Sequence, residues 1–184
     1  RLAADYGLNM LGDVSGGTLI DCGANVGELG LWARARAMTY IAFEPEPLEA
    51  RCVDLNNFAG ATECHRQALW NQTEKLRFFQ HADQADSSVI ASGGADEAFV
   101  EIDAVRLDEA LADHELPGPV ILKVEAEGAE PEVLEGARDI LHKIDIVAVD
   151  CGFERGPDRR HTFVETNNAL CAAGFQLLNV EFKR

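Results

Sequence analysis

Positive charge is scarce in this 184-residue chain: 16 lysines and arginines stand against 32 aspartates and glutamates, for a formal net charge of −16. That balance repels phosphate backbones and anionic lipid surfaces, so direct binding of DNA or RNA is not expected. The one basic cluster, Arg155 to Arg160 (RGPDRR), is small and is read as a solvated loop. Cysteine is sparse and unpaired. Cys22, Cys52, Cys64, Cys151 and Cys171 include no C-x-x-C and their number is odd, so neither a structural zinc site nor a disulfide framework is indicated. A thiol within an apolar run acts as a small hydrophobe, and a reducing, cytoplasmic compartment fits best. No apolar run approaches membrane-spanning length and no signal peptide is visible. The first residue is Arg1 rather than methionine, which leaves upstream targeting open.

Internal repeats and domain boundaries are also lacking, and the length suits one domain, residues 1–184, with a real core. Apolar residues make up 47% and charged ones 26%, an ordinary globular composition. Short apolar runs alternate with amphipathic stretches. Strands are expected at 18–22, 40–43, 63–68, 75–80, 99–105, 120–124 (VILKV), 144–149 (IDIVAV) and 175–182. Helices are expected at 27–37, 48–58, 131–142 and 162–173, with a short N-terminal one within 2–11 as part of a cap over residues 1–17. Pro131 suits a first helical turn, where a missing N–H matters least. Repeated strand–helix alternation implies an α/β fold with a mostly parallel, twisted sheet covered by helices on both faces. Residues 71–106 break the rhythm as a β-hairpin insertion. Its connection, His81 to Ala98, is rich in Ala, Ser, Asp and Gly, and is either a disordered link or a lid.

The turn after the first strand carries the chemical signal. Asp21-Cys22-Gly23-Ala24-Asn25-Val26-Gly27 leads from strand to helix, where open parallel sheets bind ligands. Glu44 closes the second strand, where doubly wound folds place an acid to hold ribose hydroxyls. A dinucleotide fingerprint needs glycine where Asn25 and Glu28 stand, because its backbone must approach a pyrophosphate. A side chain at 25 obstructs that approach and Glu28 repels it. A ribose-bearing cation without phosphate, such as S-adenosylmethionine, is compatible with both. Asp21 favours a cation nearby, or else stabilises the turn through local hydrogen bonds.

The same residues resemble the D-x-G-A-N-x-G motif of class I methyltransferases of the FkbM type. Phe43-Glu44-Pro45, Leu55-Asn56, Ala68-Leu69, Ser87-Ser88, Leu107-Asp108, Lys123 to Glu130 (KVEAEGAE) and Val133 to Ala137 follow that family's pattern in order. The resemblance implies a seven-stranded Rossmann-like sheet and methyl transfer from S-adenosylmethionine to a hydroxyl of a small metabolite, sugar or glycolipid. It implies that Asp21, Gly23, Asn25 and Gly27 line the methionine side, that Glu44 holds the ribose, that the Ala68 region lies near adenine, and that Ala24 and Pro45 also belong to the cofactor-binding residues. Glu125 and Asp150 replace the family's usual Asp and Glu, Arg106 stands where Thr is frequent, and the seventh strand is hard to find.

An alcohol needs its proton removed before it can accept a methyl group, so a general base must stand within hydrogen-bond reach. Glu125 and Glu127, just beyond the strand 120–124, are the candidates; crowding of the two would raise one pKa. Alternatively Glu127 caps the next helix and Glu125 only touches the cofactor. Ser87 and Ser88 either close over the acceptor or belong to a solvated loop. His65, His142 and His161 are read as surface or strand residues, and His81 as a weaker alternative base. No metal is expected, since no short ligand motif is present, although Glu44, Glu125, Glu127 and Asp150 could converge on Mg²⁺. Two other readings stand beside the methyltransferase: an NAD-dependent oxidoreductase, and a non-catalytic module that binds S-adenosylmethionine.

Overall fold

The computed structural model describes residues 1–79, 87–91 and 98–181. Along the chain lie α1 (Leu2–Asp5), β1 (Thr18–Cys22), α2 (Glu28–Arg34), β2 (Thr39–Phe43), α3 (Pro47–Asn57), β3 (Ala68–Leu69) and β4 (Glu74–Phe79). Then come β5 (Phe99–Val105), α4 (Leu107–Ala110), β6 (Val120–Val124), α5 (Glu130–Gly136), β7 (Ile146–Val149) and α6 (Phe163–Ala172). Four strands form a wholly parallel sheet in the order β2-β1-β6-β7. β1 and β6 occupy its centre, and all five residues of each are buried. That explains their near-continuous apolar runs, since a central parallel strand has no solvent face.

Side chains alternate across the sheet. Leu19 and Ile121 pack with Ala3, Leu8, Leu29 and Ala33, beneath α1 and α2. Ile20, Cys22, Leu122 and Val124 face the other way, onto Leu107, Leu111, Val133 and Leu134 of α4 and α5 and the segment after α4. α3 closes the β2 edge through Ala42, Ala50, Val53 and Cys64. Helices thus cover both faces, as expected of a Rossmann-like α/β fold. The insertion is a hairpin in which β4 pairs antiparallel with β5.

Three expectations fail locally. The strand expected at 63–68 does not form as a unit: His65 makes one bridge to Phe43, and only Ala68–Leu69 pairs, with β5. The Asp54 carboxylate captures the amides of Glu63 and Cys64 at 3.0 and 2.9 Å, removing them from any ladder. The helix expected at 131–142 ends at Gly136, followed by a separate 3₁₀ turn at Leu141–Lys143. The final strand expected at 175–182 is not formed over 175–181, where Leu177 and Leu178 are exposed; Phe182 lies outside the described residues. Instead of seven strands in one sheet, among the described residues four form the parallel sheet and three a second sheet ordered β3-β5-β4. Most of the 81–98 connection, with His81, lies outside the described residues.

Candidate functional site

A crevice of about 380 Å³ opens at the carboxyl ends of β1, β2 and β6. This is the edge where open parallel sheets receive ligands. Gly23 and Asn25 form one wall, Glu44, Pro45 and Ala68 a second, and Glu125, Ala126 and Glu127 a third. Ser87 and Ser88 reach it from the hairpin side.

The two glycines of the first turn are required by neighbouring protein atoms. Gly23 has φ 71°, and a Cβ there would meet the Glu125 carbonyl oxygen at 2.1 Å. Gly27 has φ 79°, and its Cβ would meet the Asn57 amide nitrogen at 2.4 Å. Between them Asn25 also adopts the left-handed region, with φ 50°. Asparagine tolerates it better than most residues. This bend aims the Asn25 N–H at Glu44, to which it donates at 2.8 Å.

Glu44 is buried at the end of β2 and receives a second backbone bond, from Glu46 N–H to its other oxygen at 2.9 Å. Each carboxylate oxygen keeps a lone pair for an incoming donor. Burial pushes its pKa up to about 7; the amides of Glu46 and Asn25 oppose this only in part. A ligand supplying hydroxyl donors would stabilise the ionised form.

Lys123 is the feature that sequence reasoning passed over. It is fully buried, and its ammonium donates to the carbonyls of Cys22 at 3.0 Å and Gly23 at 2.6 Å. It also pairs with Asp21 at 3.1 Å and Glu125 at 3.2 Å. Burial alone would lower its pKa, yet Asp21 and Glu125 outweigh burial and hold it above the ordinary lysine value. Asp21 accepts a further bond from the Tyr40 hydroxyl at 2.8 Å. The cation that Asp21 favours is therefore Lys123, and Asp21 does not line the crevice. Nor do Ala24, packed in the α3 cluster, and Gly27. The signal was available: a lysine inside an apolar strand must find a partner.

The loop after β6 carries both candidate bases to the crevice. Glu125 is tethered to Lys123 and faces the Tyr6 phenol, whose pKa is raised, chiefly by burial and then by Glu125. Glu127 stands in the left-handed region at φ 48°. Its carbonyl accepts the Ser88 hydroxyl at 2.7 Å, which links the hairpin to this loop. α5 has no side-chain N-cap bond. The loop is closed instead by buried Glu130, which accepts the amides of Ala126 and Gly128 at 3.2 and 3.0 Å and the Thr162 hydroxyl at 2.6 Å. Burial raises the Glu130 pKa against these bonds.

Among the described residues no three His, Cys, Asp or Glu side chains gather as a metal site: Glu44, Glu125 and Glu127 line one crevice without forming such a group, and Asp150 is not part of its lining. His65 is half-buried and stacks on Phe43 at 4.5 Å. His142 lies in the 3₁₀ turn, and His161 packs edge-on to Phe153. All five cysteines are free, and burial pushes the Cys22 thiol up to about 12.

A family model, the methyltransferase FkbM domain, matches residues 21–177. The hexuronic acid methyltransferase AglP of Haloferax volcanii is 28% identical over 138 residues, covering 72% of this chain and 54% of its own length. The chain thus spans about half the length of that curated relative. No solved structure matches it. No helix among the described residues is long and apolar enough to cross a membrane.

Proposed function

The chain belongs to the FkbM methyltransferase family, and from that premise we propose that it moves a methyl group from S-adenosylmethionine to a hydroxyl of a sugar-like acceptor. One observation carries the cofactor choice. The described residues lining the crevice include five carboxylates, Glu44, Glu46, Glu49, Glu125 and Glu127, and no lysine, arginine or histidine. A pyrophosphate would enter that field at a large electrostatic cost, whereas a sulfonium is attracted by it. The residues fit such a cofactor: Glu44 would hold the ribose diol with its remaining lone pairs, Ala68 and Pro45 would flank the base, and the Gly23–Asn25 turn would meet the amino-acid end. Bound there, the cofactor supplies an already activated methyl group.

The chain's own work is then positioning, exclusion of water and proton acceptance. Glu127 is the carboxylate we assign to take the acceptor's hydroxyl proton. Glu125 is committed to Lys123 and serves to fix the loop. The sugar class of the acceptor is taken from the relative named for hexuronic acid, and a carboxylate lining the crevice supports transfer to oxygen.

Titration calorimetry with S-adenosylhomocysteine and, separately, NAD tests the reading. Heat from the homocysteine nucleoside alone supports it; heat from NAD alone would return the protein to the oxidoreductases. Binding without methyl transfer to any pool of hydroxylated acceptors, followed with labelled methyl donor, would leave a non-catalytic module.

A further inference from the structure

The segment after β7 turns back on itself at the same sheet edge as the crevice. Arg155 and Arg160 pair through two backbone hydrogen bonds, 3.1 and 3.0 Å, closing a tight hairpin over residues 156–159. Gly156 and Arg159 both lie in the left-handed region, at φ 71° and 46°. The hairpin is seated on the loop that carries Glu127. A Cβ on Gly128 would stand 2.8 Å from the Arg155 Cα. The Arg155 guanidinium donates to the Gly128 carbonyl at 2.6 Å and forks onto Glu132 at 2.6 and 2.8 Å. Arg155 is thereby committed to the scaffold.

Arg159 and Arg160 are not. Both are exposed, and neither pairs with a carboxylate among the described residues. Arg159 is oriented by a bond from its Nε to the Phe153 carbonyl at 3.2 Å. Phe153 itself is 62% exposed, with the His161 ring edge-on at 5.5 Å. Within the hairpin itself, residues 155–160, three arginines stand against Asp158 alone, in a chain of net charge −16. A solvated loop accounts for the exposure, but not for a hairpin that Arg155 fastens to the loop of the candidate base and that carries an aromatic ring and two guanidinium groups without a carboxylate partner among the described residues.

We propose that this hairpin is the acceptor-recognition element and that the acceptor is an anionic sugar, an inference that rests on the methyl-transfer reading above. The crevice offers no cation among its described lining, so an anionic acceptor cannot lodge its charge beside Glu125 and Glu127. It must hold that charge outside and present a hydroxyl inward. Arg159 and Arg160 receive the carboxylate or phosphate, for which the guanidinium fork is shaped. The Phe153 ring receives the apolar C–H face of the sugar.

The test is calorimetry of the full chain saturated with S-adenosylhomocysteine, using glucuronate, glucose 1-phosphate and glucose as probes. At least one anionic sugar is expected to bind about tenfold tighter than glucose, the scale of one charge-assisted hydrogen bond. That preference weakens as salt is added. Preference for glucuronate alone identifies a carboxylate as the recognised group; preference for glucose 1-phosphate alone identifies a phosphate. The R159Q/R160Q double variant abolishes the preference, and Phe153→Ala weakens the anionic sugars too. Both variants are exposed substitutions and keep the S-adenosylhomocysteine Kd within about twofold. Equal affinity for glucose, no sugar binding, or an anion preference that survives R159Q/R160Q overturns the proposal while the cofactor reading stands. Failure of the wild-type chain to bind S-adenosylhomocysteine overturns both.

Discussion

Replacing Glu44 by glutamine isolates the electrostatics at the base of the crevice. The Glu44 carboxyl is raised from 4.5 to about 7, chiefly because burial disfavours its charge. The folded protein therefore holds this proton more tightly than the unfolded chain. Below pH 4.5 both states are protonated and the site costs nothing. As pH rises, the unfolded chain ionises first, so folding stability falls until the folded carboxyl has titrated as well. Between pH 5.5 and 8 the linkage amounts to roughly 2 kcal/mol lost by the wild type and not by Glu44→Gln. The lower limit is chosen to stay clear of the isoelectric point near 4.6. Glutamine also gives up one of the two backbone bonds from Asn25 and Glu46, a loss of about 1–3 kcal/mol, but that loss is the same at both pH values. Denaturant melts of both proteins at both pH values therefore yield a difference of differences free of the hydrogen-bond term. A stability gap that stays constant between pH 5.5 and 8 refutes the claim that Glu44 is desolvated where a ribose would sit. The ligand provides a second readout. Hydroxyl donors favour ionised Glu44, so S-adenosylhomocysteine affinity is expected to rise about tenfold per pH unit below 7 and then level off.

Lys123→Met leaves the buried Asp21 carboxylate without its cation, and is expected to cost about 3–5 kcal/mol of stability. Adding Asp21→Asn should recover a large part of that, a coupling that melts of the two single variants and the double variant measure directly. Gly23→Ala forces a Cβ into the Glu125 carbonyl at a positive φ; we expect at least about 2 kcal/mol of destabilisation and loss of S-adenosylhomocysteine binding by calorimetry. Glu127→Gln should lower kcat by about 10²–10⁴ with S-adenosylhomocysteine affinity unchanged; normal product formation from an identified acceptor would remove Glu127 from the mechanism.

The parallel core was legible because its physics is local. Thr18–Cys22, Phe99–Val105 and Val120–Val124 form over the ranges their apolar runs delimit. What failed depended on distant partners. No pattern within 63–68 reveals that Asp54 claims the Glu63 and Cys64 amides. Nor does helix periodicity reveal that Gly136 abuts the Trp70 carbonyl, which a Cβ would meet at 1.9 Å. The alternation in 175–181 describes a segment able to pair, but pairing requires a neighbour that the pattern does not name. The site divides the same way. Residue types and spacing bring Gly23, Asn25, Glu44, Pro45, Ala68, Glu125 and Glu127 to one crevice. The Lys123 bond to the Gly23 carbonyl and the Glu130 bond from the Thr162 hydroxyl cross chain separations that no spacing rule covers.

Asn25 shows why a nearly matching fingerprint can carry different chemistry. In a dinucleotide turn the central glycine clears space for phosphate, whereas here the space at Gly23 is filled by the Glu125 carbonyl and that at Gly27 by Asn57. The glycines serve the approach of β6 and α3 to the turn. Asparagine at the centre does something else, because its left-handed bend delivers one N–H to Glu44. That bond and the Glu46 amide fix the orientation of a carboxylate which burial drives toward neutrality. A carboxyl so held, titrating near neutral pH, can answer a pair of hydroxyl donors by ionising. A phosphate arriving at the same place would raise its pKa further and be repelled by whatever ionised fraction remained. In the proposed function the turn would therefore discriminate between ligands through the acid it positions more than through the room it leaves.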